Sequence, residues 1–389
     1  MRRVAAATFS RAEAGSFLPM LRAMDAAPDL DLFLIAGGSH LAQEHGRTVE
    51  ELEAAGFSPD ALVEMPLSST PESAAEAIGH GTIGFARTLA EHRPDFLLLV
   101  GDRLELLAAA SAALPLKVAV AHVSGGDVTE GALDNLVRQA ISSLSHLHFV
   151  AMEEHAERLR RCGEEPWRIH VTGEPALDSL RSLDALSRAE LERITGITLE
   201  APLVVATFHP TTLARDDTDE LGELLEAIDR IDATVVFTAA SPDPGGLALT
   251  DRVKAFCDAR DRAAFVASFG QRGYYSLLRL ADAMVGNSSS GIWEAPSFRL
   301  PVVNVGDRQQ GRIRAANVID ADADADAIAD ALRRALDPEL RASLDGIENP
   351  YGDGHASERI ADVLRTVDLG PSLLRKRFGE PFDVSLVRR

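Results

Sequence analysis

Acids, histidines, arginines and small hydroxyl residues gather in six short segments of this 389-residue chain. The densest is His122-Val123-Ser124-Gly125-Gly126-Asp127-Val128-Thr129-Glu130-Gly131, followed by Asp134 and Arg138. Paired glycines let backbone approach a ligand closely. Asp127, Glu130 and Asp134 follow one another quickly, and crowded acids raise one another's pKa, which suits proton transfer. The bland alternative is that Glu130 and Asp134 are first-turn helix acids, with Asp134 and Arg138 an i,i+4 pair. Gly101-Asp102-Arg103 sets another acid directly after the most hydrophobic run of the chain. Asp102 is there either a functional acid at the mouth of the cleft or a helix cap. In Thr207-Phe208-His209-Pro210, His209 could bind phosphate or donate a proton, although a lone histidine is more often structural.

Three further segments suit an anion. Phe9-Ser10-Arg11-Ala12-Glu13-Ala14-Gly15 joins a strand to a helix, where backbone amides and the helix dipole favour negative charge and Arg11 adds a guanidinium fork. It is not a G-x-G-x-x-G turn, so dinucleotide binding has little support. Gly286-Asn287-Ser288-Ser289-Ser290-Gly291, with Glu294 one turn on, offers amides and hydroxyls for phosphate and an acid for ribose hydroxyls. Gly306-Asp307-Arg308-Gln309-Gln310-Gly311-Arg312 has two arginines for a second phosphate clamp, or is a charged surface loop.

The elements that must position these segments alternate. Strand-length apolar runs lie at 4–8, 31–36, 95–100, 117–122 and 147–151, and again at 203–207, 234–238, 264–268, 283–285 and 301–304. Amphipathic helical stretches separate them. Leu97-Leu98-Leu99-Val100 is apolar on both faces, the mark of a strand in a parallel sheet covered by helices. Alternating strands and helices imply right-handed βαβ units and doubly wound sheets. A break near Gly173–Leu199 divides the series. The expected fold is α/β, with two Rossmann-like doubly wound domains and a cleft between them. Residues 1–175 form the N-terminal domain, residues 176–367 the nucleotide-binding C-terminal domain, and the 368–389 tail is able to pack back on the first.

Composition narrows the partners. The formal net charge of -21 repels nucleic-acid backbones and anionic membranes, so neither is expected to bind. Lysine occurs only at Lys117, Lys254 and Lys376, leaving arginine to hold any anionic substrate. The two cysteines, Cys162 and Cys257, lack metal-ligand spacing and suit a reducing cytosol. No apolar run reaches the ~20 residues of a membrane span, and the first is shorter than a signal h-region of at least ~7. A cytoplasmic location is expected.

Taken in order, Gly101-Asp102-Arg103, the Gly125-Gly126 loop to Asp134 and Arg138, Ser145-His146-Leu147-His148-Phe149, Phe208-His209-Pro210, Asn287-Ser288-Ser289-Ser290-Gly291 through Glu294-Ala295-Pro296, and Gly306 to Arg312 resemble the hydrolysing UDP-N-acetylglucosamine 2-epimerases of sialic and legionaminic acid pathways. The resemblance runs from about residue 3 to about residue 368. It implies a GT-B-like fold, a nucleotide-sugar substrate, no metal, no redox cofactor and a homodimer. It also implies a reaction: a base removes the proton at sugar C2 as the nucleoside diphosphate leaves C1, and water then adds to the glycal-like intermediate. On this resemblance Arg11, His209, Ser288, Ser289, Ser290 and Arg312 would hold the diphosphate, and Glu294 the ribose. Asp102, Glu130 and Asp134 would be the acid/base candidates, with His209 as a further proton donor. Asp127, Arg138 and Gly291 join the substrate-binding set. Some positions depart from the pattern. The first loop reads Phe9-Ser10-Arg11 instead of Gly-Thr-Arg, with Ala14 where an aromatic is usual. Ser124 stands where relatives carry Glu or His, Asp127 where Glu is usual, and Gln139 where His follows the arginine. Serine is no acid/base near neutral pH. Ser124 and Gln139 therefore motivate an alternative, cleavage of a nucleotide sugar or nucleoside without epimerisation. A GT-B glycosyltransferase is the other.

Overall fold

The computed structural model describes residues 1–10, 13–41, 48–66, 70–130, 133–210, 219–239 and 246–377. Two parallel sheets organise the chain. The first contains β1 (Arg2–Thr8), β2 (Leu30–Gly37), β3 (Ala61–Val63), β4 (Phe96–Val100), β5 (Ala119–Val123), β6 (Leu147–Val150) and β7 (Ile169–Val171), in the order β3-β2-β1-β4-β5-β6-β7. The second contains β8 (Leu203–Thr207), β9 (Thr234–Thr238), β10 (Ala263–Val266), β11 (Ala283–Gly286), β12 (Val302–Val305) and β13 (Val318–Ala321), in the order β10-β9-β8-β11-β12-β13. The pairings are parallel throughout; Val4 lies opposite Phe96, and Leu97 opposite Val120. Both are doubly wound sheets with an order reversal beside the first strand.

Strand composition follows from burial on both faces. Alternate side chains of β4 leave on opposite sides. Leu97 and Leu99 join a cluster with Ala5, Ile35, Phe85 and Leu106. Phe96 and Leu98 join Phe17, Met20, Leu21 and Met24 on the other face. Local signals set the helix ends. Thr70 and Ser73 cap the helix Pro71–His92 reciprocally, and Arg93 ends it in a left-handed conformation. Ser187 and Glu190 do the same for Arg188–Thr195, which stops at Gly196. Among the described residues, no helix is long and apolar enough to cross a membrane.

The chain divides into two compact units. One comprises Met1–Asp127, Asp134–Ser179 and Tyr351–Arg389; the other comprises Val128–Leu133 and Leu180–Pro350. These limits differ from the expected halves, 1–175 and 176–367. The helix Ala356–Thr366, placed by alternation at the end of the second half, belongs to the first unit. Its Ile360, Ala361 and Leu364 complete the apolar cluster around Phe17 and Met20. Residues after it stay on the same unit. Arg168 donates to the carbonyl oxygens of Leu373 and Ser372, both at 2.8 Å, and Lys376 pairs with Glu164 at 2.6 Å. The rest of the expected tail, 378–389, lies outside the described residues.

Candidate active site

Ligands of doubly wound sheets sit beyond the carboxyl ends of the strands, where the strand order reverses. Those points lie between β1 and β4 in the first sheet and between β8 and β11 in the second.

In the first unit, β4 runs into Gly101, which turns at φ +84°, and then into Asp102. Asp102 does not cap the next helix, whose N-cap is Leu104. It pairs with Arg138 of the helix Asp134–Leu144. Arg138 is only 1 % exposed, and a guanidinium so buried needs partners. It also donates to the Asp127 carbonyl oxygen at 3.1 Å. Burial alone would lower its pKa, but the carboxylates of Asp102, Asp127 and Asp134 raise it and keep it charged. Asp127 Oδ1 faces His155 Nε2 at 3.4 Å. Four expected residues, Asp102, Asp127, Asp134 and Arg138, thus form one charged cluster.

Two neutral histidines buttress this end of the sheet. His122 Nε2 lies 2.8 Å from the Gly101 carbonyl oxygen, which can only accept, so Nε2 carries the proton and Nδ1 accepts from Ser142 Oγ at 3.2 Å. Burial pushes the His122 pKa down to about 4. After β1, Thr8 Oγ1 donates to Glu13 Oε2 at 2.8 Å, so it accepts from His40 Nε2 at 3.0 Å, and His40 Nδ1 accepts from Thr48 at 2.9 Å. Burial raises the Glu13 carboxyl to about 7, against the opposing charge of Arg103. Arg11, two residues earlier, lies outside the described residues.

Glu130, the remaining acid of that segment, is placed by its backbone. It belongs to the second unit, where its amide donates to the Gln310 carbonyl oxygen at 3.1 Å. Its neighbour Thr129 accepts from Arg312 Nη2 at 3.2 Å. The Arg312 guanidinium lies over the Trp293 ring, 4.5 Å from its centre. Of the three carboxylates that crowd together in sequence, Asp127 and Asp134 fall in the first unit and Glu130 in the second.

Asn287, fully buried after β11, ties the remaining loops together. Its side chain accepts from the His209 amide at 2.7 Å and donates to the His209 carbonyl oxygen at 2.9 Å. Its own carbonyl oxygen accepts from Gln309 Nε2 at 2.8 Å and Arg308 Nη1 at 3.2 Å. The loops after β8, β11 and β12 therefore meet at the order reversal. Burial, with the Arg308 charge, pushes the His209 pKa down to about 3, so its ring is neutral. Ser288 and Ser289 are partly exposed; Ser290 is buried and its hydroxyl accepts from Tyr274 at 2.7 Å. Gly291 serves packing, because a Cβ there would come within 2.7 Å of Val302. Glu294 has a buried oxygen, Oε2, without a hydrogen-bond partner among the described residues. Burial lifts its carboxyl to about 7, with Ser290 and Arg312 opposing.

Sequence reasoning did not single out Glu13, Asn287, Tyr274 or Glu174. Asn287 stood inside a quoted motif, but its hub role depends on loops that only the sheet order brings together. Tyr274 is distant in sequence and gives no local signal.

Solved structures share this fold, and named relatives share its sequence. A family model described as UDP-N-acetylglucosamine 2-epimerase matches residues 22–365. A Legionella pneumophila protein named UDP-N,N'-diacetylbacillosamine 2-epimerase (hydrolyzing) is 35% identical over 97% of this chain and 99% of its own length. The Neisseria meningitidis serogroup B UDP-N-acetylglucosamine 2-epimerase is 30% identical over the same shares of the two chains. Among solved structures, a Neisseria meningitidis UDP-GlcNAc 2-epimerase bound to UDP-GlcNAc matches with a TM-score of 0.81 at 18% identity, covering 93% of this chain and 99% of that one. The two doubly wound domains expected from the sequence are those of these structures. With the family model covering most of the chain, and strand-end acids, histidine and arginine in both units, the chain belongs to the UDP-N-acetylglucosamine 2-epimerase family and is an enzyme of that kind.

Proposed function

We propose that the chain is a hydrolysing 2-epimerase that takes a UDP-linked N-acetylhexosamine to UDP and the free C2-epimeric sugar. The observation that carries the nucleotide half of this reading is the meeting of three strand-end loops on Asn287, with the Glu294 oxygen that lacks a partner among the described residues in the same unit. An acceptor held without a donor is suited to ribose hydroxyls. The neutral His209 ring offers an N–H to phosphate, and Ser288, Ser289 and Arg312 add donors for the diphosphate. Arg11 remains an assigned diphosphate ligand on resemblance alone.

The chemistry has two stages. In the first, a carboxylate takes the proton from C2, the C2–H electron pair becomes the C1=C2 bond, and the C1–O bond breaks to release UDP. In the second, water adds its oxygen to C1 while C2 receives a proton on the opposite face. Asp102, Asp134 and Glu130 are the acid/base candidates. Asp102, paired with the buried Arg138 guanidinium at the end of β4, is the candidate for the basic role. Asp127 and Arg138 shape the sugar-facing side. The catalytic form is proposed to be a homodimer in the cytoplasm, on family resemblance and on the unbonded thiols of Cys162 and Cys257.

The test is proton NMR in heavy water with UDP-N-acetylglucosamine and UDP-N,N'-diacetylbacillosamine as separate substrates. The expected result is UDP plus a free sugar inverted and deuterated at C2. Free sugar of unchanged configuration with no deuterium at C2 would favour simple hydrolysis and overturn the epimerase assignment.

A further inference from the structure

Ser124 follows β5 with φ +65°, a left-handed conformation that a non-glycine residue adopts at a cost. Its amide is pinned to the Phe149 carbonyl oxygen at the end of β6, at 2.9 Å. The hydroxyl so placed donates to Glu174 Oε2 at 2.8 Å. Glu174 comes from the turn after β7, at the far edge of the sheet. Its carboxylate reaches back over the carboxyl ends of the strands, and Oε1 accepts from Ser16, in the first turn of the helix after β1, at 3.2 Å. The turn is held tightly. The Glu174 amide donates to the Tyr351 carbonyl oxygen at 2.7 Å, and a Cβ on Gly352 would lie 2.9 Å from the Gly173 Cα. Glu174 is 2 % exposed and Ser124 6 %. A buried carboxylate is thereby brought to the end of β5, beside the order reversal, on a residue that is itself no acid or base near neutrality.

We propose that Ser124 and Glu174 form a hydroxyl–carboxylate relay that takes up the proton released when water adds to the unsaturated sugar. The inference rests on the epimerase reading above. Hydroxyl relays pass protons readily between oxygen atoms, whereas a proton on carbon needs a base in direct contact. The pair therefore belongs to hydration and not to removal of the C2 proton. As the water oxygen bonds to C1, one water proton moves to Ser124 Oγ and the Ser124 proton moves to Glu174 Oε2. The C1=C2 electron pair takes its proton at C2 from a separate acid. Glu174, left as a carboxylic acid, returns its proton to solvent after the sugar leaves. Ser124 touches the water, and Glu174 is a positioning and accepting residue behind it.

The test compares Glu174→Gln and Ser124→Ala with the wild-type chain on a UDP-N-acetylhexosamine that the wild type turns over. Glu174→Gln keeps the acceptor for Ser124 and the shape, but the amide cannot take a proton; Ser124→Ala removes the relay atom and leaves Glu174 in place. In both, free epimer formation is expected to fall about 100-fold or more, the usual size of a lost acid/base step, while UDP is still released and the unsaturated sugar accumulates. UDP affinity should be unchanged. Free epimer at the wild-type rate without unsaturated sugar in either variant would overturn the relay. So would equal loss of UDP release and epimer formation in Ser124→Ala, which a structural role gives, and this variant decides the matter if Glu174→Gln fails to fold. A wild-type chain that releases no UDP from any such substrate would overturn the epimerase reading itself, a separate and recognisable failure.

Discussion

Uridine should bind this chain about tenfold more tightly at pH 8 than at pH 6. The reason is the Glu294 carboxyl, lifted by burial to about 7 and carrying an oxygen that lacks a hydrogen-bond partner among the described residues. Ribose hydroxyls donate best to an ionised carboxylate. A group titrating near 7 is ionised about one-tenth of the time at pH 6 and about nine-tenths at pH 8. If only the ionised form binds well, affinity rises by the ratio, roughly ninefold to tenfold, or about 1.4 kcal/mol. The free nucleoside is the right probe, because a terminal phosphate itself titrates near ~6. The neighbours stay silent in this window. His209, pushed down to about 3, remains neutral, and Tyr274, raised by burial, remains protonated. Titration calorimetry at the two pH values is the assay. Glu294→Gln should bind uridine weakly and equally at both. Equal wild-type affinity at pH 6 and pH 8, or an undiminished pH slope in Glu294→Gln, would refute the assignment of Glu294 to ribose.

Three further outcomes follow from the same geometry. Glu13 has its folded pKa raised from 4.5 to about 7, so its contribution to stability is fully present below pH 4.5 and is lost as pH rises through 7. Glu13→Gln keeps the Thr8 and Phe9 hydrogen bonds and should gain up to about 3 kcal/mol over wild type at pH 8 but little at pH 5, read by urea unfolding. Asp102→Ala leaves the Arg138 guanidinium buried beside fewer charges and should cost about 3–5 kcal/mol in thermal unfolding; adding Arg138→Met should recover most of it. Asn287→Ala removes two hydrogen bonds to His209 at about 1 kcal/mol each, and UDP affinity should fall at least tenfold by calorimetry.

Much of the fold was legible because both sheets are buried on two faces. Runs such as 203–207 and 234–238 coincide with β8 and β9. The strands that escaped notice, β3, β7 and β13, each lie at the edge of a sheet. They are three or four residues long and half-exposed, so none carries an apolar run of strand length. The candidate site shows the same limit. Segments at strand ends were legible singly, since position after a buried strand is a local property. Their grouping was not. Asp102 meets Arg138 across 36 residues, and Ser124 meets Glu174 across 50, because the order of strands in the sheet brings them together.

The return of the helix Ala356–Thr366 to the first unit has a consequence for synthesis on the ribosome. Translation completes the second unit at Pro350, while the first, begun earlier, still lacks the helix that covers Phe17, Met20, Leu21 and Met24. The unit started first is therefore finished last. Until the final stretch emerges, its nascent form presents a bare apolar face of the kind that chaperones bind and that drives aggregation. A ribosome that stalls after residue 350 would release a chain with one finished half and one that cannot close.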